Sequence, residues 1–212
     1  VTLSLFDLDA LIPIAAPGDT DRAKRLSQYF TPPRLAERIA EWADVRGRRV
    51  LEPSAGGGAL RRACLAAGAF RVDAVELDPR YVAALEAENL GRVTPGSFLD
   101  LRPGDIMPAD LVVQNPPYEN GLDGEFLAHA IQFAPRVVAL VRLATLAGAT
   151  RGAELWACVE VTRIVILSTR PRFEGELAAG GAKSDFVVVE FQARRQGRRP
   201  LVELEHWSGA WS

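Results

Sequence analysis

Cysteine, long apolar runs and surplus positive charge are all scarce in this chain of 212 residues. Its two cysteines, Cys64 and Cys158, make neither a disulfide framework nor a ligand cluster, so no metal site is expected. Cys64 sits in a helical pattern and Cys158 in an apolar one, and both read as small buried hydrophobes. No segment has the length of apolar sequence that a membrane span needs. Residues 1–10 carry Asp7 and Asp9 where a secretory leader would carry Lys or Arg, so a cytoplasmic protein with no membrane partner is the expectation. Lys plus Arg number 25 against 27 Asp plus Glu, and a net charge of −2 argues against a surface coated throughout for polyanions. The charge is uneven, with acidic residues before residue 21 and on helix faces, and Arg194, Arg195, Arg198 and Arg199 crowded together. A solvated turn and a phosphate contact explain that basic cluster about equally well. No internal repeat is visible.

What is present suffices for one domain. At 48% hydrophobic content the chain can form a full core, but it is too short for two large ones. Residues 1–26 show no sustained period and read as an N-terminal arm; residues 27–212 read as a single domain without a separate target-recognition domain. Thr31 suits a helix N-cap with Pro32 at the first helical position, and Leu35, Ile39 and Trp42 follow at helical spacing. Strands are expected at 49–53, 72–77, 93–100, 111–113, 136–143, 163–167 and 186–191. Helices are expected at 59–67, at 81–90 with Val82, Leu85 and Leu90 facing inward and Gly91 as C-cap, and at 125–133. The segment 145–158 reads as partly helical, and the loop 168–185, with Gly175, Gly180 and Gly181, as mobile. Strands alternating with helices imply right-handed crossovers and a mostly parallel sheet.

Three stretches carry chemistry. The apolar run Leu111-Val112-Val113 stops at Gln114-Asn115-Pro116-Pro117-Tyr118, where the prolines cannot donate ladder hydrogen bonds and the chain must leave the sheet. Asn115 and Tyr118 are thereby held on a stiff loop at a strand's carboxyl end, where open α/β sheets place their ligands. An Asn oxygen and a neighbouring main-chain carbonyl, both acceptors, can hold the two N–H groups of an exocyclic amine and concentrate its lone pair on nitrogen. Tyr118 offers a flat face for an unstacked base. Taken alone, the tetrapeptide reads more readily as an ordinary Pro-rich turn; the rest of the chain reverses that balance. Leu51-Glu52-Pro53-Ser54-Ala55-Gly56-Gly57-Gly58 is a strand breaking into a glycine turn before a helix, suited to close approach of a ligand, although it does not fit the dinucleotide fingerprint. Glu76-Leu77-Asp78-Pro79 ends the next strand, placing an acidic residue about 20 positions after the glycines, where ribose hydroxyls would lie. Together these indicate an adenosine-type ligand.

With Gln28-Tyr29-Phe30-Thr31-Pro32 ahead of them, these motifs occur in an order that resembles the small adenine-specific DNA methyltransferases of phage and prophage type, which use S-adenosyl-L-methionine. The resemblance spans residues 28–191 and extends to Val141-Arg142-Leu143-Ala144, Arg170-Pro171-Arg172-Phe173 and Lys183-Ser184-Asp185-Phe186. It implies an α/β, Rossmann-like methyltransferase fold whose mostly parallel seven-stranded sheet has a C-terminal antiparallel strand and helices on both faces. By the same resemblance Tyr29, Phe30 and Thr31 hold the methionine part of the cofactor, with Glu52, Ala55 and Gly56 beside its amino acid end. Glu76 takes the ribose hydroxyls, Leu77 and Phe98 sandwich the adenine, and Pro32, Pro53, Gly58, Asp78, Ser97 and Asn115 complete the cofactor set. Many relatives carry Asp where this chain has Ser97; the Ser97 hydroxyl or the carboxylate of Asp100 would take over its hydrogen bond from the adenine amine. Asn115, Pro116, Pro117 and Tyr118 would hold the flipped target base. DNA is the expected substrate, in a restriction-modification or phage setting. With no recognition domain expected, Arg142, Arg170 and Arg172 are assigned to phosphates, and a partner subunit or homodimer would assist target recognition.

Other readings share parts of this pattern. RNA adenine and protein glutamine methyltransferases use the same Asn-Pro-Pro-Tyr loop, because an amide nitrogen has an equally reluctant lone pair. Cytosine-ring methylation, which needs a Pro-Cys nucleophile, is excluded because neither cysteine follows a proline. An inactive cofactor-binding or DNA-binding subunit would keep the fold and lose the reaction.

Overall fold

Strands covered by helices on both faces must be apolar on both, and the central segments of this chain are. In the computed structural model, which describes residues 29–147, 155–157, 159–174, 184–194 and 202–207, β1 (Arg49–Glu52), β4 (Leu111–Gln114) and β5 (Arg136–Arg142) are buried nearly throughout. They are joined by β2 (Arg71–Glu76), β3 (Val93–Pro95), β6 (Val159–Leu167), β7 (Phe186–Ala193) and β8 (Glu203–Trp207) in the order β3-β2-β1-β4-β5-β7-β6-β8. Strands β3, β2, β1, β4 and β5 run parallel, and β7 is antiparallel to both β5 and β6. The expected Rossmann-like methyltransferase topology is therefore present.

Helices α1 (Pro33–Trp42), α2 (Ala59–Ala66), α3 (Pro79–Ala87) and α4 (Leu122–Ala130) cover the sheet. Leu35 and Ile39 of α1 and Leu60 and Cys64 of α2 pack on Val50, Val72, Leu111, Val113 and Leu140. On the opposite face Phe126, Leu127 and Ala130 of α4, with Phe98, pack on Leu51, Val75, Val112, Val137 and Val141. Alternate residues of β4 thus feed opposite cores, as a period of two requires. No helix among the described residues is long and apolar enough to cross a membrane.

Several boundaries differ from the expectation. Helix α1 starts at Pro33, with Pro32 as N-cap and no side-chain capping bond, so Thr31 is buried rather than capping. Helix α3 ends before Leu90; the left-handed residue after it is Asn89, at φ 52°, and the C-cap is Glu88 rather than Gly91. Helix α4 begins near Leu122, one turn early, behind Gly121 at φ 83°. An eighth strand, β8, pairs parallel with β6 beyond the seven expected. Its anchor is long-range: Trp207 packs edge-on against Trp42 with ring centroids 6.0 Å apart, and both indoles donate to Glu205, at 2.8 Å from Trp42 and 3.2 Å from Trp207. The N-terminal arm (1–26), Ser27, Gln28, Cys158, Lys183, the glycines of the 168–185 loop and Arg195, Arg198 and Arg199 lie outside the described residues.

Candidate active site

The carboxyl ends of β1, β2 and β4 open around a cavity of about 270 Å³. Glu52, Pro53, Ala55 and Gly56 line it from β1 and the loop after it, Glu76 and Leu77 from β2, and Asn115 and Pro117 from the loop after β4. Tyr29, Phe30 and Thr31 close one side, and Ser97 and Phe98 another. Parallel strands bring these ends together because right-handed crossovers return every strand in the same direction.

Both carboxylates in the cavity are buried. The Glu76 oxygens accept main-chain N–H groups, Oε2 from Gly56 at 2.6 Å and Oε1 from Asp78 at 2.7 Å, tying the glycine turn to the end of β2. Burial pushes the Glu76 carboxyl above its ordinary value, with those main-chain donors acting the other way. Burial pushes Glu52 further up against the pull of Arg61 and Arg62, and its Oε2 is buried without a hydrogen-bond partner among the described residues. Gly56 sits at φ 50°, and a Cβ there would lie 2.6 Å from the Phe30 ring, so only glycine lets the turn pass beneath that ring. Phe30 is itself held by a two-bond bridge to Glu174, at 3.0 and 2.9 Å, and by an edge contact with Tyr81 at 5.0 Å. The Arg-Pro-Arg-Phe stretch thus meets the Tyr29-Phe30-Thr31 stretch in space.

The loop after β4 is fastened from all sides. Asn115 Nδ2 donates to the Tyr29 carbonyl at 2.8 Å, Asn115 Oδ1 accepts from the Tyr118 hydroxyl, and the Asn115 carbonyl accepts from Ser54 Oγ at 3.0 Å. Tyr118 also reaches the Leu140 carbonyl at 3.2 Å, and burial, reinforced by Asp123, pushes its phenol well up, so it remains a donor. Arg142 donates to the Tyr118 carbonyl at 2.7 Å and to Asp123 at 3.2 Å.

Some expected residues stand elsewhere. Tyr118 has no open face: its ring is 4% exposed, packed against Tyr29, Phe173 and Phe186 at 5.4 to 6.2 Å, because its hydroxyl is drawn inward to Asn115 and Leu140. Arg142, half-buried, is bonded to the Tyr118 carbonyl and to Asp123. Arg170 pairs with Asp185 at 2.9 Å with both side chains more than half exposed, and Arg172 is exposed. Gly58 does not line the cavity; it is the left-handed N-cap of α2, where a Cβ would meet Leu85 at 2.7 Å. Asp78 caps α3 and binds the Arg80 guanidinium, and Pro32 and Pro116 are buried and do not line the cavity. Ser97 faces the cavity, whereas Asp100 is exposed and not part of it. Phe98 touches the cavity but packs on Phe126, His129 and Phe133, and Leu77 stands 54% exposed at the mouth. Sequence reasoning missed Ser54, Asp123 and Thr145. Ser54 was legible as a hydroxyl in the cofactor turn, but nothing local marks the other two.

No family model matches the chain. A protein named probable ribosomal RNA small subunit methyltransferase A, from Methanospirillum hungatei, is 34% identical over 134 residues, 56% of this chain and 52% of that protein. The chain spans about half the length of the curated relatives it matches. A crystal structure of a putative RNA methyltransferase from Pyrococcus horikoshii, 22% identical, matches with a TM-score of 0.68 over 90% of this chain and 96% of that one. The M protein of the type I restriction enzyme EcoKI, 16% identical, matches with a TM-score of 0.63 over 81% of this chain and 45% of that one. Five parallel strands, the antiparallel β7 between β5 and β6, and these likenesses agree: the chain has the Rossmann-like fold of the S-adenosylmethionine-dependent methyltransferases.

Proposed function

We propose that this protein methylates the exocyclic amine of adenine in a nucleic acid, at Asn115. The fold and the relatives indicate S-adenosyl-L-methionine as the cofactor, which supplies an electrophilic methyl group when bound. The residues present fit it. The buried, unpartnered Glu52 Oε2 suits a cationic amino group, and Glu76, already aligned by two main-chain donors, suits ribose hydroxyls. Tyr29, Phe30 and Thr31 form the wall nearest Asn115, keeping water from the transfer.

The observation that carries the reading is the position of Asn115, which lines the cavity holding both carboxylates while its Nδ2 donates to the Tyr29 carbonyl and its own carbonyl accepts from Ser54. There Asn115 Oδ1 and a neighbouring carbonyl accept the amine's two N–H groups and draw its lone pair onto nitrogen. The Tyr118 hydroxyl must first release Asn115 Oδ1. RNA is the substrate favoured by the names of the sequence relatives, which replaces the DNA expected from the motif order. DNA is the second reading, kept by the likeness to the restriction-enzyme M protein.

Methyl-labelled cofactor offered with ribosomal RNA and with DNA, followed by nucleoside analysis, tests this. N6-methylated adenosine, lost in Asn115→Ala while cofactor still binds, is the expected result. Label in deoxyadenosine alone would select DNA, and label in neither nucleic acid, or an active Asn115→Ala, would overturn the proposal.

A further inference from the structure

Arg142 was expected to meet phosphate, and in the structure its guanidinium is engaged by its own neighbours. Its guanidinium lies over the Tyr118 ring, 5.6 Å from the centroid, and Nη2 bonds both the Tyr118 carbonyl and Asp123 Oδ2. Asp123, in the first turn of α4, is fully buried; the same Oδ2 accepts from Thr145 Oγ1 at 2.5 Å, and the Thr145 carbonyl accepts from Trp156 Nε1 at 3.2 Å. A carboxylate with no exposure is tolerable only when paired and hydrogen-bonded; Asp123 Oδ2 has a cation and a hydroxyl, while Oδ1 is buried without a hydrogen-bond partner among the described residues. The group therefore joins the start of α4, the end of β5 and the turn after it to one main-chain oxygen of the Asn115–Tyr118 loop.

That oxygen lies at the exit of the loop. Pro116 and Pro117 fix the middle of the loop. Beyond Tyr118 the chain passes through Asn120 at φ 53° and Gly121 at φ 83°, left-handed positions that set the direction in which it leaves the loop. A loop whose two acceptors must meet one amine needs its geometry held to about 0.5 Å. We infer that Asp123, Arg142 and Thr145 form a positioning unit that fixes the exit of the catalytic loop, with Arg142 as its contact to Tyr118. The inference rests on the reading of Asn115 as the methyl-transfer site. None of the three is assigned contact with the base or the cofactor.

Hydrogen exchange of residues 115–121, kinetics with nucleic acid, cofactor affinity and the salt dependence of nucleic-acid binding should be measured on Asp123→Asn, Arg142→Lys, their double variant and Thr145→Val. Faster exchange in 115–121 is expected in each, with kcat down at least tenfold in the two ion-pair variants, Asp123→Asn and Arg142→Lys. KM should change less than threefold, cofactor affinity and salt slope should be unchanged, and the double variant should be no worse than its more damaged single. Thr145→Val removes one hydroxyl without disturbing charge, so it should fold and show a smaller fall in kcat. Unchanged exchange in 115–121 would overturn the inference. So would an Arg142→Lys effect confined to KM and salt slope while Asp123→Asn behaves as wild type, since that pattern belongs to a phosphate contact. If the wild-type protein methylates no nucleic acid, the functional proposal fails, and exchange in the variants still decides whether the loop is held as inferred.

Discussion

Replacing Gly56 by alanine should weaken cofactor binding through a steric effect that its neighbour Gly57 does not share. At position 56 the backbone is left-handed, φ 50°, and the new Cβ would stand 2.6 and 2.7 Å from two Phe30 ring carbons. A left-handed alanine costs roughly 1–2 kcal/mol, and overpacking a fixed ring adds about 1–3 kcal/mol. Phe30 has little room to yield, held by two main-chain bonds to Glu174 and by the Tyr81 ring. The glycine turn must then shift, breaking the 2.6 Å bond from Gly56 N–H to Glu76 and misaligning both cavity carboxylates. If about 1.4 kcal/mol of that strain is expressed in the binding step, affinity falls tenfold. Gly57 lacks the left-handed backbone, and a Cβ there would meet Phe30 at 3.7 Å, an ordinary contact, so Gly57→Ala should weaken binding much less. Titration calorimetry with S-adenosylmethionine, alongside thermal unfolding, measures both variants. Binding by Gly56→Ala within twofold of wild type, or a larger loss in Gly57→Ala, would refute the argument.

Tyr118→Phe should lower the unfolding temperature, since Asn115 Oδ1 and the Leu140 carbonyl lose a donor worth roughly 1–3 kcal/mol when left unsatisfied. It should nonetheless retain most methyl transfer, because the base no longer displaces the hydroxyl; a kcat as low as that of Asn115→Ala would contradict this. Glu52 gives a pH dependence. Its folded carboxyl is raised by burial above the ordinary 4.5, so its stabilising contribution is complete below that pH and is lost as pH climbs toward the folded value. Thermal unfolding of cofactor-free protein should therefore show stability falling on that climb, and Glu52→Gln should flatten the curve; an unchanged curve would exclude Glu52 as its source. Cys64, buried at 1% exposure with its thiol pushed up by burial, should resist maleimide until the protein unfolds, and fast labelling of native protein would count against the packing described.

The sequence by itself determined the elements and their order, because these depend on neighbours in the chain. The alternation of apolar strands with helices located β1, β2, β4 and β5, and glycine or proline after β1, β2 and β4 named the loops that line the cavity. Glu52, Gly56, Glu76 and Asn115 were legible because each ends or follows a strand within its own motif. What only the tertiary structure decided concerns partners distant in sequence. Strand β8 pairs across the sheet and is anchored by Trp42, 163 positions from its hydrogen-bond partner Glu205. Tyr118 looked like an exposed stacking face because its own loop is polar and stiff; its burial depends on Tyr29, Phe173 and Phe186 arriving from three other segments. Arg142 looked like a free cation at a strand end, and its engagement depends on Asp123, which α4 delivers only once it has packed on the sheet. Local pattern encodes backbone periodicity and turn chemistry, whereas the direction and partners of a charged or aromatic side chain are set by which elements pack against it.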